Sequence, residues 1–129
     1  MRCFLILALL AFLAPLPAAA QALSPMTKEV WTYTDRFALQ LKAFNPYPTT
    51  QRFSVSVRDE DGNAFPDVKI SALSFSLPAG ETGGFFVWGA APERRRVVVC
   101  VTSQLFSTGA GAPVRGEVCG KYDIVPLGD

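Results

Sequence analysis

Histidine is absent from all 129 residues. That excludes the Ser-His and Cys-His pairs that activate nucleophiles, and it excludes zinc and copper sites built on imidazole. Cysteine is scarce, with three in the chain. Charge is sparse and evenly signed, with 12 Lys and Arg against 11 Asp and Glu. No basic surplus exists to neutralise a nucleic-acid backbone. No Gly-rich phosphate loop has the required form: Gly83-Gly84 is too short, and Gly109-Ala110-Gly111 lies between two predicted strands rather than ahead of a helix. Beyond residue 22 there is no 3.6-residue apolar stripe, so no amphipathic helix is predicted.

What is present begins with a targeting segment. Met1-Arg2 supplies a positive start, residues 3–13 form an uncharged apolar run, and residues 15–20 are rich in Pro and Ala. Two small-x-small sites follow, Ala18-Ala19-Ala20 and Ala20-Gln21-Ala22. This layout predicts a secretory signal peptide over residues 1–22, with cleavage after Ala20 or Ala22 and a single domain over residues 23–129. Pro15 and Pro17 interrupt the stretch, and its apolar core is too short to span a bilayer comfortably. Cys3 precedes the apolar run, so it is not placed as the lipidated first residue of a mature lipoprotein. The expected product is periplasmic or secreted, has no membrane span after cleavage, and binds no nucleic acid. Losing Arg2 leaves 11 basic and 11 acidic residues, a net charge of zero.

The remainder reads as short strands. Val30-Trp31-Thr32-Tyr33 is rich in β-formers. Phe37, Leu39, Leu41 and Ala43 alternate with Arg36, Gln40 and Lys42, up to the turn Asn45-Pro46-Tyr47-Pro48. Phe53, Val55 and Val57 alternate with polar residues up to Asp59-Glu60-Asp61-Gly62-Asn63, where Asp-Gly favours a hairpin. Val68 and Ile70 share one parity and Leu73, Phe75 and Leu77 the other, which predicts a bulge or a break between two strands. Phe85-Phe86-Val87-Trp88 is apolar on both faces and is expected to be a central, well-covered strand. Residues 94–103 and 117–125 form two more strands around a Gly/Ala/Pro loop. Seven or eight strands at roughly ten-residue spacing predict an all-β, antiparallel, immunoglobulin-like sandwich.

The cysteines left after cleavage, Cys100 and Cys119, set a register. An exported compartment permits a disulfide. Pairing them across one hairpin places Arg96 opposite Asp123, Val98 opposite Lys121 and Thr102 opposite Glu117 on the cysteine face. The other face then pairs Val97 with Tyr122, Val99 with Gly120 and Val101 with Val118. One face is polar and the other apolar, as a half-buried ladder requires. The bridge is therefore expected to be structural, to face solvent, and to close ~20 residues, stabilising by roughly 3 kcal/mol.

Few residues suggest chemistry. Asp59-Glu60-Asp61-Gly62-Asn63 lacks EF-hand spacing and reads as a solvated turn rather than a calcium loop. Arg94-Arg95-Arg96 could grip a carboxylate or phosphate through guanidinium forks; pairing of Arg96 with Asp123 leaves Arg94 and Arg95 as binding candidates. Tyr47, between two prolines, is the aromatic expected to be exposed. No catalytic, cofactor-binding or metal-ligating residue is assigned, and no cofactor is expected.

Residues 37–88 resemble the immunoglobulin-like domains of the pilus-chaperone and major-sperm-protein type. The likeness rests on the strand running into Asn45-Pro46 and on the strand ending in the acidic turn. It rests also on Phe75-Ser76-Leu77-Pro78-Ala79-Gly80-Glu81 leading to Phe85-Phe86-Val87. The resemblance implies the sandwich fold and an envelope setting. Pilus chaperones have two domains and hold a subunit's terminal carboxylate with basic residues; this chain has one domain, and those positions find no match in it. The expected function is a non-catalytic module of the cell envelope that binds a protein partner through a sheet edge or face. The alternatives are a carbohydrate-binding module using exposed aromatics and a small hydrolase using two carboxylates.

Overall fold

A computed structural model describes residues 22–65, 67–105 and 114–127. The expected signal peptide, apart from Ala22, lies outside the described residues, as does most of the Gly/Ala/Pro loop. Nine strands form two sheets: β1 (Ala22–Ser24), β2 (Thr27–Thr32), β3 (Arg36–Phe44), β4 (Gln51–Arg58), β5 (Val68–Ile70), β6 (Ser74–Leu77), β7 (Thr82–Ala90), β8 (Arg95–Leu105) and β9 (Val114–Pro126). The four-stranded sheet has the order β1-β3-β7-β5 and the five-stranded sheet the order β2-β9-β8-β4-β6. Every pairing is antiparallel except β2 with β9, which run parallel.

Alternation builds the core. Phe37, Leu39, Leu41 and Ala43 of β3 and Phe85 and Val87 of β7 point inward from one sheet, meeting Phe53 and Val55 of β4, Val97, Val99 and Val101 of β8, and Tyr122 and Ile124 of β9. All are buried. A sandwich needs only this: two sheets, each apolar on its inner face.

The strand count exceeds the expected seven or eight because the N-terminal segment serves both sheets. Pro25 follows β1, and proline has no N–H with which to continue a ladder. The chain crosses there, so β1 pairs β3 in one sheet while β2 pairs β9 in the other. Tyr122 clamps the crossing. Its side chain is fully buried, and its hydroxyl donates to the Pro25 carbonyl at 2.6 Å. Burial pushes the Tyr122 phenol up to about 12. Gly120 makes room, because a Cβ there would meet the Tyr122 hydroxyl, its Cζ at 2.7 Å and the Met26 carbonyl at 2.9 Å.

The phase shift after Ile70 has a similar origin. β5 pairs β7 in one sheet and β6 pairs β4 in the other, so the chain passes between sheets and its inward parity resets. Leu73, expected to share a face with Phe75 and Leu77, instead lies in the crossing and is 69% exposed. Asn45 does more than turn the chain. Buried, it donates from Nδ2 to the carbonyls of Thr49, Leu77 and Pro78 and accepts the Tyr47 N–H at Oδ1. It thereby ties the β3–β4 loop to the β6–β7 turn, with its polar atoms satisfied as burial demands.

Candidate interaction surfaces

The register of β8 and β9 joins Arg95 with Ile124 through to Leu105 with Val114, and includes every pair deduced from the cysteines. Cys100 and Cys119 are bonded, with Cα atoms 4.1 Å apart. That close approach marks a pair without ladder hydrogen bonds between the two residues. The Lys121 N–H donates away from β8, to the Met26 carbonyl. Backbone direction alternates along a strand, so Glu117 and Cys119 also aim their backbone groups away from β8. β2 covers β9 only from Lys121 to Pro126. Among the described residues, β9 is therefore an open edge from Val114 to Gly120.

The bridge lies on the outer face beside this edge, yet it is less exposed than expected. Cys100 is 1% exposed and Cys119 half-buried. The reason is lateral crowding: β8 is flanked by β4 and β9, with Ser56 on one side of Cys100 and Cys119 on the other. Glu117 Oε1 lies 3.6 Å from Cys119 Sγ. Its other oxygen pairs with Arg58 at 3.4 Å and accepts from the Thr102 hydroxyl at 3.1 Å. Cys100, Glu117 and Cys119 are the one group of three metal-donor side chains close enough to share an ion among the described residues, and both sulfurs are committed to each other.

At the far end of this face the arginines meet the acidic turn. Arg96 makes a fork to Asp123, at 2.8 and 3.1 Å, and reaches Glu60 at 3.5 Å. The guanidinium holds the Asp123 carboxyl below its ordinary range, while Asp123 raises Arg96. Arg95 is engaged too. It donates to the Ala90 carbonyl at 2.7 Å, pairs with Asp67 at 3.5 Å and stacks 4.0 Å above the Phe65 ring. Arg94 is exposed and makes no hydrogen bond or ion pair among the described residues. These side chains line an open basin of about 420 Å³ with Asp59, Glu60 and Asp61. Asp59 is a turn residue: its Oδ1 accepts the Asp61 and Asn63 N–H groups at 2.9 and 2.8 Å, and the Asn63 bond leads in lowering its carboxyl. A glycosidase acid needs the opposite, a raised carboxyl.

Tyr47 is half-buried and sits in the β3–β4 loop, at the end of the sandwich opposite Arg94 and Arg95. The three candidate binding residues thus do not converge. Among the described residues the exposed aromatics are others: Tyr33 at 90%, Trp31 at 57% and Phe86 at 48%. Phe86 corrects the expectation of a well-covered β7. That strand is internal to its sheet, between β3 and β5, but among the described residues no layer lies above its outer face.

No protein-family model and no curated protein sequence matches the chain. Solved structures do match in shape. A chain of the Salmonella enterica SafA pilin–SafB chaperone complex superposes with a TM-score of 0.70 at 13% identity, covering 88% of this chain and 58% of that one. The E. coli chaperone DraB gives 0.65 at 11%, covering 84% and 55%. The ASH/PapD-like domain of human CEP192 gives 0.54 at 11%, covering 88% and 89%. The chain spans little over half the length of the bacterial chains it matches. Its fold is the PapD-like, immunoglobulin-type sandwich, the architecture its sequence resembles.

Proposed function

We propose that the protein is a non-catalytic interaction module of the cell envelope that captures an extended segment of a protein partner along β9. The observation that carries this is the uncovered edge from Val114 to Gly120, with the backbone groups of Glu117 and Cys119 facing outward. An extended segment laid there gains main-chain hydrogen bonds without any rearrangement of the sandwich. The chaperone structures, three of them described with a pilin or tip subunit, support a protein partner for this fold. Export rests on residues 1–22 acting as a signal peptide. Cleavage after Ala20 keeps all of β1, whereas cleavage after Ala22 removes its first residue.

The test is Glu117→Pro. Proline removes an N–H that points away from β8, so the β8 ladder survives, as proline does on edge strands. Glu117→Ala controls for loss of the Arg58 and Thr102 contacts. Partners recovered with the tagged exported protein should be lost with Glu117→Pro and kept with Glu117→Ala. Recovery of the same partners by both variants overturns edge capture.

A further inference from the structure

The outer face of the β1-β3-β7-β5 sheet differs from every other surface. Its centre is apolar: Phe86 and Trp88 lie two residues apart on β7, about 7 Å along the strand. Ala38 pairs beside Trp88 and Gln40 beside Phe86. Lys69 flanks Trp88 from β5. Arg36 and Lys42 end the strip on β3, six residues or about 20 Å apart. No Asp or Glu occupies an outward position of β3, β5 or β7. Arg36, Lys42 and Lys69 make no ion pair among the described residues. The opposite sheet's outer face, by contrast, ties Arg58 and Arg96 to Glu117, Asp123 and Glu60.

We infer that this face binds an acidic polysaccharide, a chain of uronic-acid sugars laid along β7. Sugar C–H faces stack on the electron-rich faces of Phe86 and Trp88, carboxylates meet Arg36, Lys42 and Lys69, and the Gln40 amide serves hydroxyls. Other occupants fit less well. A second copy would set cation against cation. An extended peptide on a face, unlike one on an edge, leaves its own backbone groups unpaired. A bilayer needs aromatics that reach deepest, but Trp88 is half-buried and has the longer Lys69 beside it. The inference is independent of capture at β9.

The probe is hexagalacturonate titrated into the ¹⁵N-labelled exported protein with its bridge intact. Saturable shifts should concentrate on β3 and β7, weaken with added salt and be absent with cellohexaose. Phe86→Ser, half-exposed and outside the core, should lower affinity roughly tenfold or more with the folded circular-dichroism spectrum unchanged. Lys42→Glu should lower it as well, and Glu117→Pro should leave it alone. Any one of four results overturns the inference: no saturable binding, equal binding of cellohexaose, hexaglutamate or phosphatidylglycerol vesicles matching the sugar, or undiminished binding by Phe86→Ser.

Discussion

Replacing Gly120 with alanine should cost far more than one methyl group ordinarily does. The new Cβ would run into the Tyr122 hydroxyl, with the ring's Cζ at 2.7 Å and the Met26 carbonyl at 2.9 Å. None is a freely yielding neighbour. The ring is buried, its hydroxyl holds Pro25, and the Met26 carbonyl accepts the Lys121 N–H. Overpacking of this kind costs ~1–3 kcal/mol. Displacing the hydroxyl forfeits a hydrogen bond worth about 1 kcal/mol. Stiffening the unfolded chain returns ~0.5–1 kcal/mol. The net is about 1–3.5 kcal/mol, which at ~4 °C per kcal/mol lowers the melting temperature by roughly 4–14 °C. Thermal and urea unfolding, followed by circular dichroism, read it directly. Tyr122→Phe alone should cost ~1 kcal/mol. In that background Gly120→Ala should cost less, because its nearest obstacle is gone. A Gly120→Ala effect below ~0.5 kcal/mol, or one equal in both backgrounds, refutes the clamp.

Three other outcomes can be checked with the same unfolding assays. Val99→Ala should destabilise by about 1–3 kcal/mol because it opens the core, while Arg96→Ala, on the exposed face, should cost much less. Reducing the Cys100–Cys119 bond should lower the melting temperature and leave the folded spectrum intact, since the valine face sets the same register without it; loss of β-structure on reduction would contradict this. Tyr122 holds its proton more tightly when folded, from 10.0 up to about 12. Stability from this group is therefore full below pH 10, is lost as pH rises towards 12, and that loss should vanish in Tyr122→Phe.

Legibility in the sequence varied with how many constraints met at one place. The β8–β9 ladder was readable residue by residue because the cysteines, the Arg96–Asp123 charges and three valines agree on one register. Elsewhere a single signal had two readings. Phe86 and Trp88 announce an apolar face, but alternation does not say whether anything covers it. The parity change after Ile70 announces a break, but a bulge and a passage between sheets look alike. Asn45 reads as a turn former, since its carbonyl partners, Leu77 and Pro78, are more than thirty positions away. The open edge of β9 was invisible, because a strand's own residues do not record where its neighbour stops. Arg94, Arg95 and Tyr47 were chosen for their chemistry, and only the fold reveals that they lie at opposite ends.

The position of the bridge has a mechanical meaning. It joins the middle of the eleven β8–β9 pairs, with five on either side. A load applied to either end of β9 can unzip at most five rungs before it reaches a covalent bond. Among the described residues β9 is also bare along its outer edge from Val114 to Gly120, so any chain annealed there pulls on it first. Tension that would peel a free edge strand is diverted at Cys100 into β8, which β4 and β9 hold from both sides. Reduction would turn this anchored strand into a zipper open along its whole length, so force-extension traces should show lower rupture forces in reductant.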